Sequence, residues 1–362
     1  SYNAPVSEEA AFKYATALNQ LLADKRRRVM IGDTTTVFWT DQPAPAEWMI
    51  ALMLDSRNAE DAQQLQTVHD LLRRLAAGTS PSHELGKPET RFFVLGLSPN
   101  AARISVRFFL TGTVGEVLQH VRQHVTDLQI VGLDRPPKPD MPPAPPPMIR
   151  ELLWETARDV KEIPPLLAGA LTRSVLTGQL YPDNLYTSVL RRIRMDGDLR
   201  ARRAAILKAC LNRLHRTRPF LKENLPVSLD PDRNDVSYVL GRLFALYEMI
   251  QRDALGKNLN RTIKDSYLSS ASASPAAVFP RLFRLSQHHL GKIEKKEFRI
   301  GREKLLADLF GRIETFPNHL AHYDQGVFAI GYYHQMQAFF TKKQDDVASV
   351  ELNEQQLEPQ SA

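Results

Sequence analysis

Residues 134–148 read DRPPKPDMPPAPPPM, eight prolines in fifteen positions. Proline lacks an amide donor and has a fixed φ, so this stretch can be neither helix interior nor central strand. It predicts an extended strap of about 3.1 Å per residue, and it divides the chain. Before it, helical periods flank runs of β-branched and aromatic residues; after it, every periodic segment repeats at helical spacing. The expected fold class is α+β. An N-terminal α/β part with antiparallel strands (1–133) leads through the proline-rich linker (134–148) to a basic helical region (149–225). A C-terminal bundle of four or five helices (226–344) and a disordered acidic tail (345–362) complete the expected order.

In the first part, Ser7 with Glu8 and Glu9 opens a helix that runs to about Ala23. Val29–Ile31 and Thr34–Trp39 read as strands with a turn at Gly32-Asp33. That turn lacks the second glycine and the Lys-Ser/Thr of a phosphate loop, and Asp33 reads as a turn residue. A helix is expected over 59–76, then a hairpin in which RFFVLGL and RISVRFF flank Ser98-Pro99-Asn100. Ile104, Val106 and Phe108 alternate there with Arg103, Ser105 and Arg107, which predicts one apolar and one basic strand face. A helix over 114–128 carries His120 and His124 one turn apart. No Glu follows the first His, so the zinc-protease pattern fails.

Charge is concentrated after the prolines. The chain carries a net charge of +6, and 11 of its 47 Lys and Arg fall between Arg191 and Lys222, against Asp196 and Asp198. A basic run is commonly a solvated surface, but so large an excess with so little acidic interleaving points to phosphate as partner. Arg191, Arg192, Arg194, Arg200, Arg202, Arg203 and Lys208 are the candidates there. Farther on, Tyr238–Ile250 and Pro275–Leu290 form two amphipathic helices around a small-residue loop. The second is expected to be capped by Ser274 with Pro275 at its first position. It leaves Arg281, Arg284 and Lys292 off its apolar face; with Lys295 and Lys296 they form a second candidate set.

Several classes are disfavoured. A single cysteine, Cys210, permits no internal disulfide and fits a reducing compartment. No apolar run approaches the roughly 18 residues of a membrane span, and no signal-peptide pattern opens the chain. No constellation of carboxylates, His and Cys supports a catalytic, metal or cofactor site. His288-His289 and His319/His322 lack the carboxylate or cysteine company of ligands. A metal-dependent nuclease would need clustered carboxylates at strand ends, and the strand region offers Asp33 and Asp41. A protein-only scaffold with a basic face is the other alternative.

GDTTTVFW (Gly32–Trp39), RFFVLGLSPNAARISVRFF (Arg91–Phe109), LYPDNLYTSVLRRIR (Leu180–Arg194), GRLFALYE, ASASPAAVFPRLFRLSQHHL and DQGVFAIGYYHQ run through the chain to about His334. Together they resemble the large subunit of the type I-C (Dvulg subtype) CRISPR Cascade complex, and specifically its C-terminal part. The resemblance implies a non-catalytic, cytoplasmic subunit that binds target double-stranded DNA and holds the displaced single strand. Its implied partners are the crRNA-containing complex, with its backbone and small helical subunits, and the helicase-nuclease. It also implies that a free small helical subunit is made from the end of the same gene. Asp230-Pro231-Asp232 marks a boundary, the helices expected after it carry a complete apolar core, and such a start is expected near Val236.

Overall fold

The computed structural model describes residues 5–31, 34–55, 57, 59, 62–79, 82–101, 103–136, 138, 140–218, 224–256 and 260–356, with backbone alone at 31, 82, 83 and 342–356. The expected turn at 32–33 and Lys222 fall outside them. The chain divides into two compact units, 1–129 with 134–189, and 130–133 with 190–362.

The first unit is built on a four-stranded antiparallel meander in the order β1 (Arg28–Ile31), β2 (Thr34–Thr40), β3 (Arg91–Asn100), β4 (Arg103–Thr113). Helix α1 (Glu8–Ala23) begins where Ser7 accepts a bond from the Ala10 amide at 3.1 Å. α2 (Ala46–Leu54) is not anticipated by the sequence pattern. Eight of its nine residues are buried, so it is apolar all round and shows no amphipathic period. α3 (Ala62–Ala76) precedes the one-turn α4 (Ser82–Leu85). α5 (Val114–Leu128) opens with a capping box between Thr113 and Glu116. α6 (Ile149–Trp154), a 3-10 turn at Val160–Glu162 and α7 (Pro165–Thr177) follow the proline segment. Both α6 and α7 pack into this unit, α7 against α5 and β2, so the division does not fall at the prolines. The proline segment is itself fastened to the unit: Arg73 donates to the Pro143 carbonyl at 2.9 Å, and Pro147 and Met148 are buried.

One sheet face forms the core. Phe92 and Val94 of β3, Phe38 of β2 and Phe108 of β4 are buried there. A β-bulge changes the hairpin: Gly96 pairs with Phe108 but Leu97 pairs with Val106, so Arg107 is the extra residue. The bulge reverses the alternation. Phe108 turns inward, beside Gly96 and Gly169, whereas Ile104 and Val106 face out, against the single apolar face that strict alternation predicts.

α8 (Asp183–Asp196) crosses the division and is stopped by Gly197 at φ 62°. The second unit then consists of α9 (Ala201–Thr217), α10 (Val236–Leu255), α11 (Ile263–Ala273), α12 (Pro275–Leu290), α13 (Lys296–Gly311) and α14 (His322–Gln356). α11 occupies what reads as a small-residue loop; Thr262 and Asp265 give it a capping box. Ser274 makes no side-chain cap bond to α12, because it also ends α11. α14 continues as helix through the position where the acidic tail is expected to begin. The core is the α10–α14 pair, and α9, α11, α12 and α13 pack around it.

Candidate nucleic-acid interface

The two candidate cation sets lie in very different surroundings. Around the α8–α9 turn, Arg192 donates to Asp196 Oδ2 at 2.6 Å and Arg203 to the same oxygen at 2.7 Å. Arg203 also donates to the Asp198 carbonyl at 2.8 Å and is only 3% exposed. Arg200 lies 3.8 Å from Asp198 at the surface. Lys208 and Arg213 are buried in α9, and Arg194 and Arg202 are half-buried. Arg191, Arg216 and Arg218 are exposed. The linear density therefore overstates the surface charge, because α9 turns part of its basic content toward α14.

The second set behaves otherwise. Arg281, Arg284, Lys292, Lys295 and Lys296 are all exposed, and none is engaged by a carboxylate among the described residues. Arg281, Arg284 and His288 follow at intervals of three and four, which puts them on one face of α12. Lys292 sits in the α12–α13 turn, which the buried Ile293 anchors. Lys295 is the N-cap residue of α13 and Lys296 its first residue, with no side-chain cap bond. A helix N-terminus carries partial positive charge, so two lysines there repel it and one another. An anion beside them would be stabilised by both lysines and by the helix end.

Aromatic rings accompany these cations. Arg281 lies 5.5 Å over the Tyr267 ring and Lys295 5.5 Å over that of Phe298, which is exposed. Phe283 is partly exposed and packs edge-on against Phe310 at 5.1 Å. Beneath, Phe279 stacks on Phe316 at 5.4 Å and Phe310 meets Phe316 at 5.9 Å. That cluster fixes α12 against α13. Arg302 ties α13 inward, donating to Asp253 at 2.8 Å and lying 4.4 Å over Phe339. Sequence reasoning does not find these aromatic partners, Tyr267, Phe283 and Phe298. Their proximity to the cations is signalled only at Lys295/Phe298, as i, i+3 neighbours.

The His120 and His124 rings have structural partners. His120 Nδ1 is 2.8 Å from the Leu176 carbonyl, and His124 Nδ1 is 2.6 Å from the Tyr181 hydroxyl. Burial, then the charges of His288 and Lys292, lowers the His289 pKa; burial, then Arg194, lowers that of His322. Among the described residues, no three His, Cys, Asp or Glu side chains gather as a metal site. No helix among the described residues is long and apolar enough to cross a membrane.

Comparison with curated proteins returns no match. The family of the CRISPR-associated protein Cas_Csd1 matches residues 1–340. With nearly the whole chain covered, this protein belongs to the Cas_Csd1 family of CRISPR-associated proteins.

Proposed function

We propose that the chain is a non-catalytic large subunit of a type I-C RNA-guided surveillance complex, and that its α12–α13 face holds the displaced strand of target DNA. The observation that carries this reading is the set of five exposed cations without carboxylate partners among the described residues, interleaved with exposed rings. Phosphates of a single strand would meet Arg281, Arg284, Lys292, Lys295 and Lys296. Unstacked bases would meet Phe298 and Phe283, the combination that sequence-tolerant single-strand binders use. Sequence would be read by the guide RNA, not by this face. In the same proposal the subunit supports docking of the helicase-nuclease, and cleavage belongs to that partner.

The test is charge reversal in the assembled complex. Changing all five cations to Glu is expected to weaken target binding. It should also flatten the log–log salt dependence by about 0.7 for each single-strand phosphate left unneutralised. The thermal midpoint should hold, because none of the five has an ion-pair partner among the described residues. Unchanged affinity and slope would overturn the assignment. Metal-dependent cutting of labelled DNA by the purified chain, persisting through repurification, would overturn the non-catalytic role.

A further inference from the structure

A small cavity of about 260 Å³ lies in the first unit, among β3, β4, α5 and the end of α7. Much of its lining is apolar: Phe92, Val94, Val117 and Leu176 are buried around it. Glu116 and His120 also line it. They stand one turn apart on α5, so they share a face of that helix.

Hydrogen bonds fix what each polar group has left to offer. His120 Nδ1 is 2.8 Å from the Leu176 carbonyl, which can only accept, so Nδ1 carries the proton and Nε2 keeps a lone pair. Gly178, at φ 68°, makes room for this ring; a Cβ there would come within 2.7 Å of His120 Cδ2. Glu116 Oε2 accepts from the Thr113 amide at 2.8 Å, which leaves Oε1 as an acceptor. Thr177 donates its hydroxyl proton to the Arg173 carbonyl at 2.8 Å, so toward the cavity it too can only accept. No Lys or Arg is among the lining residues.

The cavity therefore offers acceptors, one negative charge and apolar walls. A phosphate would meet the Glu116 charge with no cation to offset it. A nucleobase presents acceptors as well as donors, and carries its own phosphate toward that carboxylate. A guanidinium has N–H donors and no acceptor, set in a planar fork that reaches two acceptors at once, on an apolar stem. The volume falls below the roughly 300 Å³ at which sites for drug-sized ligands begin, and suits one side chain. We propose that this cavity receives a single arginine side chain of another polypeptide. Its stem would lie against Val117 and Leu176, and its guanidinium would bridge Glu116 Oε1 and His120 Nε2. The site belongs to the first unit alone and stands whether or not the α12–α13 face holds DNA.

The test is a titration of the full chain, isotopically labelled in its histidine rings, with N-acetylarginine methylamide. The His120 resonance, assigned by its loss in His120→Gln, is expected to shift saturably. N-acetylnorleucine methylamide, which has an apolar stem and no charge, should leave it in place, as should AMP. The lysine analogue, without the planar fork, should bind more weakly. Glu116→Gln removes the charge but keeps the capping box, in which Gln also serves. It should weaken arginine binding at least about tenfold with the thermal midpoint unchanged. No shift with the arginine analogue, an equal shift with norleucine, lysine or AMP, or full affinity in Glu116→Gln would each overturn the site. The polypeptide source is tested in the assembled complex, and this arm rests on the reading that the chain works in one. With p-benzoylphenylalanine in place of Thr111, which also lines the cavity, irradiation should link an arginine-containing peptide of a partner. Linkage to a peptide without arginine, or to none, overturns the partner. If the chain enters no complex, the functional reading falls, and the titration still decides the cavity.

Discussion

His334 shows how one buried side chain sets the acid sensitivity of the second unit. Its Nδ1 lies 2.8 Å from the Tyr238 hydroxyl, whose oxygen also accepts from the Asp230 amide. The Tyr238 proton therefore goes to His334, and burial pushes the Tyr238 pKa up to about 12. Burial, with the charges of Lys208 and Arg233, holds the His334 pKa down at about 3. The unfolded value is near 6.5. Below that pH the unfolded chain gains a proton that the folded chain refuses, so stability is lost as pH falls from 6.5 toward 3. The loss between pH 7 and pH 5 should be about 2 kcal/mol. Urea titrations at the two pH values should show this component removed by His334→Asn, whose carbonyl can still accept from Tyr238. An undiminished difference in the variant would refute the assignment.

Arg203 makes the complementary point about charge. In the sequence it belongs to the densest basic run; in the fold it is buried on Asp196. Arg203→Glu would set a second carboxylate against Asp196, which solvent still reaches, and would remove the bond to the Asp198 carbonyl, at a cost of about 1 to 3 kcal/mol. A lowered urea midpoint is expected, and an unchanged one would argue against the Arg203–Asp196 pair. Loss of DNA binding in that variant reports unfolding, unlike loss in the α12–α13 variant. The linear run was legible, but the division between ion-paired and open cations was not. That division depends on which way α9 faces and on two aspartates brought back by a turn.

Among elements, legibility followed apolar periodicity. α1, α5 and α10 begin and end close to where it puts them, although no residue of α1 is buried and α10 is buried from Ser237 to Ile250. α2 was invisible because it has no wet face. α11 was hidden because Ser and Ala dominate its second half, a composition that also suits loops, while its start depends on a Thr262–Asp265 capping box. The β4 bulge was likewise unreadable: period-two alternation carries no mark of an inserted residue, and only pairing across to Gly96 and Leu97 reveals it. The α10–α14 packing rests on two glycines. A Cβ on Gly241 would run into the Phe328 carbonyl, and one on Gly331 into that of Tyr238. These are backbone collisions that rotamer changes cannot relieve. Gly241→Ala and Gly331→Ala should each destabilise by about 3 kcal/mol, read as a lowered denaturation midpoint. Near-neutral effects would mean that the helices can move apart.

At the scale of the whole molecule, the second unit bears on whether its end also exists as a separate subunit. α10 starts at Val236, and the α10–α14 pair with α11, α12 and α13 contains a continuous apolar core. A product beginning near Val236 would keep that core and the α12–α13 cation face. It would lack Asp235, whose side chain accepts from the Ser237 amide at 3.2 Å, and it would lack α9, which packs on α14. With α9 goes the His215 ring, which sits 5.5 Å from that of Tyr323. A fragment of residues 236–344 is therefore expected to fold cooperatively but to melt below a fragment of residues 190–344, since the latter retains the whole α9 packing. Calorimetry of the two decides this, and equal midpoints would show α9 to be dispensable. In complex purified from the natural gene, we expect mass spectrometry to find a C-terminal species starting close to Val236. Such a species would place extra copies of Arg281, Arg284 and the three lysines along the displaced strand, extending the cationic track without enlarging the subunit. Its absence, or its persistence after silent recoding around Val236, would rule out a start at that position.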